Sequence, residues 1–141
     1  MNVEIQNERI VIGEETIRFY GYYFDIATTQ EDPSGLKTMK NVLSQWAKVL
    51  EVLEDKAAAF LPYNLEDEWV ECLKATRNGE KIILCCVDVA ENGWSLALND
   101  LQEFMLRPQT VVEHDSDPQI FGQYNREEII ASLRDALIGA A

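Results

Sequence analysis

The chain has 141 residues, 47% of them hydrophobic and 26% charged, which fits one globular domain and excludes the low-hydrophobicity, high-charge composition of disordered chains. A net charge of −13 sets phosphate backbones aside as partners, because their recognition needs clustered Lys and Arg. No apolar run approaches the ~20 residues that span a bilayer, and without a basic leader, an apolar stretch and a cleavage site the chain is expected to be cytoplasmic.

The sequence opens on strand signals. Val3-Glu4-Ile5 and Ile10-Val11-Ile12 flank a polar turn, and Gly13-Glu14-Glu15 leads into a third run, Thr16 to Ile26, so that a three-stranded meander is expected. In that run the apolar parity switches around Gly21, where a bulge can reverse the faces. Asp32-Pro33-Ser34-Gly35 then supplies helix start signals, with Asp32 or Ser34 as N-cap. From Leu36 to Ala57, apolar residues recur at spacings of three and four: Leu36, Met39, Leu43, Trp46, Leu50, Leu53 and Ala57. The spacing predicts a helix over 36–57, ~33 Å long, packed across a sheet; a coiled coil needs sustained heptads with flanking charges.

Beyond Leu61-Pro62, Trp69 to Thr76 and Lys81 to Val89 flank Asn78-Gly79, the preferred central pair of a type I′ hairpin turn. With those two residues as the loop, Arg77 faces Glu80, Leu73 faces Leu84, and Cys72 faces Cys85. Both faces of the hairpin carry apolar residues, so it is expected in the middle of the sheet, partly covered on each side. Trp94, Leu96 and Leu98 alternate as in a short strand, and Asn99-Asp100-Leu101-Gln102 has capping-box form before Phe104 and Met105. Thr110 to His114 reads as another strand and Asp115 to Pro118 as a turn. Asn125-Arg126-Glu127-Glu128 is a second capping-box form, opening a helix with Ile129, Ile130, Leu133 and Leu137 on one face and Gly139 at its end. With neither repeat nor linker in view, one domain is expected over 1–141.

Catalytic readings are weak. A nucleophile needs a base held against it, and the chain has one histidine, His114. Cys85 lies mid-strand in an apolar run, whereas a reactive thiolate wants an electropositive, partly exposed setting. The three cysteines lack CxxC spacing, which argues against a zinc cage or disulfide framework. The expected hairpin register does bring Cys72 and Cys85 to a Cα separation of ~4.5 Å, the lower edge for a disulfide, although reduced thiols are the default in a cytosol. His114-Asp115-Ser116-Asp117 offers ligand atoms, but the EF-hand positions that require Gly and Glu hold Ile120 and Arg126, so a turn is the simpler account. No metal and no cofactor are expected.

The acidic stretch Glu66-Asp67-Glu68-Trp69-Val70-Glu71 does not converge its carboxylates on a strand, where Glu68 and Glu71 point to opposite faces. It reads instead as a surface for a cationic partner: acids speed the encounter, and a large aromatic residue anchors it. Solvated acids beside a core tryptophan are the structural alternative. Acids dominate both 51–71 and 88–117, while the hairpin tip gathers Lys74, Arg77 and Lys81.

Leu61-Pro62-Tyr63 ahead of that acidic lead, the Asn-Gly hairpin, and Asn92-Gly93-Trp94-Ser95-Leu96 before a capped helix together resemble a pattern in small bacterial immunity-type proteins of polymorphic toxin systems, over residues 61–104. The resemblance implies an acidic cytosolic domain that binds a cognate toxin and blocks it without turnover; it assigns no site residues. The expected fold is α+β, a single antiparallel sheet of five or six strands crossed by one long helix, with a C-terminal helix beside it. The expected function is stoichiometric inhibition of a protein with a basic surface by Glu66, Asp67, Glu68 and Glu71, joined by Asp115 and Asp117, with Tyr63 as anchor. Nucleic acid and membrane are not expected partners, and the oligomeric state is open. Two rival readings are a homodimeric secretion chaperone, a class that generally begins with a helix, and a small-molecule binding domain or enzyme using Tyr20-Gly21-Tyr22-Tyr23, a run equally suited to an ordinary strand.

Overall fold

A computed structural model describes residues 3–6, 8–19, 36–66, 69–90, 101–106 and 119–139. Its first unit is an antiparallel meander, β1 (Val3–Gln6), β2 (Arg9–Ile12) and β3 (Glu15–Arg18), in the order β1-β2-β3. Val3 pairs with Ile12 and Ile10 with Ile17, so one face carries the apolar side chains and buries them. Gly13 makes the β2–β3 turn with a φ of 61°, a left-handed conformation that costs glycine little. The rest of the expected third strand, the Tyr20 to Tyr23 run and the Asp32 to Gly35 start signals lie outside the described residues.

Helix α1 (Leu36–Val52) follows the expected periodicity, burying Met39, Val42, Leu43, Trp46, Val49 and Leu50. It stops five residues before the expected Ala57. Leu53 stays in the core and Ala57 packs against it, so the apolar spacing runs on after the helix has ended. The chain turns at Lys56, which takes a φ of 68° where a glycine would be the usual signal. No basic residue occupies the last turn of α1. Its orphan carbonyls are capped from elsewhere: Arg77 Nη1 donates to the Leu53 carbonyl (2.7 Å), and Arg126 donates to those of Leu50 and Glu51. Two guanidinium groups thus meet the negative end of the helix dipole.

The second sheet contains β4 (Ala58–Glu66), β5 (Trp69–Asn78), β6 (Lys81–Ala90) and β7 (Gln119–Asn125), antiparallel and in the order β4-β5-β6-β7. The expected single sheet is therefore two sheets. The reason is connectivity: α1 separates β3 from β4, so no hairpin carries one ladder into the next. The strands β4 and β7 were not expected; Pro62 interrupts the first, and β4 accommodates it at the sheet margin, where a missing N–H costs little. The Pro62 carbonyl accepts a buried hydrogen bond from Trp46 Nε1 (3.0 Å), which ties α1 to this strand.

The β5–β6 hairpin is central, as expected, but its register differs. Asn78 pairs with Lys81, so the loop is Gly79-Glu80, with Gly79 alone in the left-handed region, the pattern of a type II′ turn. Leu73 faces Cys86 rather than Leu84, and Cys72 faces Val87 rather than Cys85. The offset is two residues, so every side chain keeps its expected face. Leu73, Ala75, Ile82 and Leu84 are buried on one side, and Val70, Cys72 and Val89 on the other. Cys72, Cys85 and Cys86 are free thiols.

The short helix α2 (Leu101–Met105) buries Leu101, Phe104 and Met105 as expected. Helix α3 (Arg126–Gly139) begins at the expected cap, where Asn125 Oδ1 accepts from the Glu128 N–H (3.1 Å), and buries Ile129, Ile130 and Leu133. The expected strands at Trp94 to Leu98 and Thr110 to His114 lie outside the described residues. Buried residues of both sheets and all three helices form one continuous core. Among the described residues, no helix is long and apolar enough to cross a membrane. Replacing either clamp, Arg77→Ala or Arg126→Ala, is expected to lower the unfolding free energy by about 1–3 kcal/mol in urea denaturation, because partly buried carbonyls lose charged donors. The double variant is expected to fall short of the sum, since both groups cap the same helix end.

Candidate functional site

Glu66 closes β4 and pairs with Trp69, the first residue of β5, at the end of the four-stranded sheet opposite the β5–β6 tip. Asp67 and Glu68 themselves, like Asp115, Asp117 and the lone His114, lie outside the described residues. Two residue pairs into the sheet, Asn64, Glu71 and Asp88 stand directly opposite one another on three adjacent strands, on one face. Glu71 and Asp88 are half-buried, and the Asn64 side-chain amide donates to Glu71 (3.5 Å). Two carboxylates directly opposed across a ladder repel each other. Asp88 was missed from the sequence because the two-residue offset had placed Cys86 opposite Glu71.

Tyr63 does not sit where an anchor for a partner would be. The ladder passes from Pro62–Cys72 to Asn64–Glu71, which leaves Tyr63 as the extra residue of a β-bulge. Bulges re-aim side chains, and this one is buried in the core, 9% exposed. Its hydroxyl donates to the thiol of Cys86. Burial, with Cys86 and Glu71 close by, pushes the ionisation of Tyr63 well above the ordinary phenol range. Burial also raises Cys86, against the opposing hydrogen bond from Tyr63, and raises Cys72 well above the ordinary thiol value. These are thiols held protonated, the opposite of an activated nucleophile.

The meander closes the other side of this polar seam. Glu15 of β3 adds negative charge near Cys86 and Tyr124, and a Cβ added at Gly13 would stand 3.5 Å from the Tyr124 ring, in ordinary van der Waals contact. Gly122, two residues before Tyr124, leaves the space its ring occupies; a Cβ there would collide with it. Tyr124 thus occupies space that Gly122 leaves open, beside the Gly13 turn of the meander. Among the described residues, no group of three His, Cys, Asp or Glu side chains could hold a metal ion.

Several of the bases toward the opposite end are engaged internally. Arg77 and Arg126 clamp α1, Lys56 Nζ donates to Asn78 Oδ1, and Arg134 pairs with Glu51. Lys74 lies 5.7 Å over the Phe60 ring. Along ten-residue β5, ~30 Å separates this end from the acidic one.

Compared with family models, curated proteins and solved structures, the chain matches none.

The buried thiols and phenols set an alkaline limit. Groups whose folded pKa is raised stabilise the protein below their ordinary value and lose that contribution as pH rises through the folded value. Stability is therefore expected to hold up to about the ordinary thiol value of 9.0 and to fall above it, with the fall read by urea titration at stepped pH. Tyr63→Phe removes the donor that favours the thiolate, so the pH midpoint for alkylation of Cys86 is expected to move upward.

Proposed function

We propose that the chain is a non-catalytic acidic binding protein of the immunity type, which holds a cationic protein at the Glu66–Glu71 end of the four-stranded sheet and neutralises it by stoichiometric binding. The observation that carries this reading is the direct opposition of Glu71 and Asp88 two residue pairs inside the Glu66–Trp69 end of the sheet. A Lys or Arg that reaches this pair meets two carboxylates at once, so the cation binds better than either acid alone would hold it. The net charge of −13 adds steering over a longer range. Separation of the charges supports the same direction of approach, because the hairpin-tip bases lie at the far end, where Lys56, Arg77 and Arg126 are engaged in internal contacts. Glu66, Asp67, Glu68 and Glu71 are the proposed contacts, with Asp88 added and with Asp115 and Asp117 extending the surface. Tyr63 contributes by holding the sheet end in shape.

The test is affinity capture from the native host with the wild-type chain, with a Glu66→Lys/Asp67→Lys/Glu68→Lys variant, and with Lys81→Glu as a control at the far end. A basic protein is expected on the wild-type chain, released as salt rises. The triple variant is expected to bind at least about tenfold more weakly, a loss of about 1.4 kcal/mol, and the control unchanged or more tightly. Capture of no basic protein, or equal capture by the triple variant, would overturn the proposal.

A further inference from the structure

An Asn-Gly pair carries a latent reaction of its own. The glycine amide nitrogen bonds to Cγ of the asparagine as the Cγ–N bond of the side-chain amide breaks, and ammonia leaves with the displaced proton. Water then opens the resulting cyclic imide at one carbonyl or the other, to give aspartate or isoaspartate. Glycine favours the first step because no Cβ hinders the approach of its nitrogen. Asn78-Gly79 stands at an exposed hairpin tip, where such a reaction is ordinarily open to solvent.

The α1–β4 turn engages both reacting groups. The Gly79 N–H, the nucleophile once its proton is lost, donates to Asp55 Oδ1 at 2.7 Å. The Asn78 side-chain oxygen, on the carbon to be attacked, accepts from Lys56 Nζ. Two consecutive residues of one turn therefore hold the two reactants. Asn78 is also the last residue of β5, paired with Lys81, which limits the backbone rotation that cyclisation needs. The turn is itself fastened, with Lys56 N–H donating to the Arg77 carbonyl (2.9 Å) and Arg77 N–H to that of Ala57 (3.0 Å). Cyclisation needs the reacting atoms about 3–3.5 Å apart and aligned; this arrangement holds them to other partners. The same Gly79 hydrogen bond is the first cause that lowers the pKa of Asp55 below the ordinary carboxylate value.

We propose that Asn78-Gly79 is a deamidation site held closed by Asp55 and Lys56, which opens when the α1–β4 turn detaches from the hairpin tip. Isoaspartate would insert a methylene into the main chain at the last rung of the β5–β6 ladder, and aspartate would place a new carboxylate beside Lys56.

Deamidation at position 78 is followed by peptide mass spectrometry that separates aspartate from isoaspartate, at mildly alkaline pH and one temperature. The full chain is compared with Asp55→Ala, Lys56→Ala and the wild-type chain in urea. Buried Cys72, in the middle of β5 and 0% exposed, reports unfolding through its reaction with a thiol reagent. The native wild-type chain is expected to convert slowly and the urea-unfolded chain fast. Both variants are expected to convert several-fold faster than native wild type while Cys72 stays unreactive. If Asp55→Ala exposes Cys72, Asp55→Asn replaces it; this variant keeps a carbonyl acceptor for Gly79 and is expected to convert near the wild-type rate. Native wild type converting as fast as the unfolded chain, or Asp55→Asn doing so, overturns the proposal. So does slower conversion in Lys56→Ala with Cys72 protected, which would make that cation a promoter of the attack.

Discussion

The fold depends on how one helix end is received. Helix α1 ends with its last carbonyls partly buried and without a basic residue in its final turn. Left alone, those carbonyls would cost several unmade hydrogen bonds and face the unfavourable pole of their own dipole. Arg77 arrives from the tip of a hairpin and Arg126 from the start of the last helix. Both are long, planar and always charged, so they reach the helix end without bringing their own backbones into it. The meeting fixes three otherwise separate things: where the first helix stops, where the hairpin tip lies and where the C-terminal helix begins.

From that junction the acidic end follows. With α1 tied at its C-terminus and at Trp46, β4 runs away from the junction alongside β5, and their connection is delivered to the far side of the sheet. The bulge at Tyr63 then does two jobs. It turns an aromatic ring into the core, and it sets Asn64 across from Glu71. Polar residues beyond the bulge face one another across three strands, while apolar residues before it meet the helix. The boundary between packing and charge on this face is thus drawn by one extra residue.

Much of this was legible in the sequence. The periods of α1 and of the β5–β6 hairpin were plain, and Asn125 with Glu128 marked the last helix by capping chemistry that the structure retains. The end of α1 was not legible, because Leu53 and Ala57 continue the apolar spacing and Lys56 adopts a left-handed turn without a glycine to announce it. Nor was β4, whose Ala57-Ala58-Ala59 start and central proline read as anything but a strand; position at the margin of a sheet, a tertiary fact, makes them acceptable. The hairpin loop lies one residue later than Asn-Gly signals, because that pair marks a type I′ turn, whereas here glycine leads a type II′ turn. That small displacement concealed Asp88. The burial of Tyr63 has no signal in the sequence, because a bulge leaves no mark in composition.

Pro62 has a further consequence for how the molecule behaves in a crowd. Among the described residues, β4 is an outer strand, and outer strands invite other chains to add to them. At the middle of this one, an incoming strand would meet a residue with no amide hydrogen to offer and a carbonyl already committed to Trp46. The margin nearest the helix is thereby a poor template for growth, and the proline that obscured the strand in the sequence helps to keep copies of the protein apart.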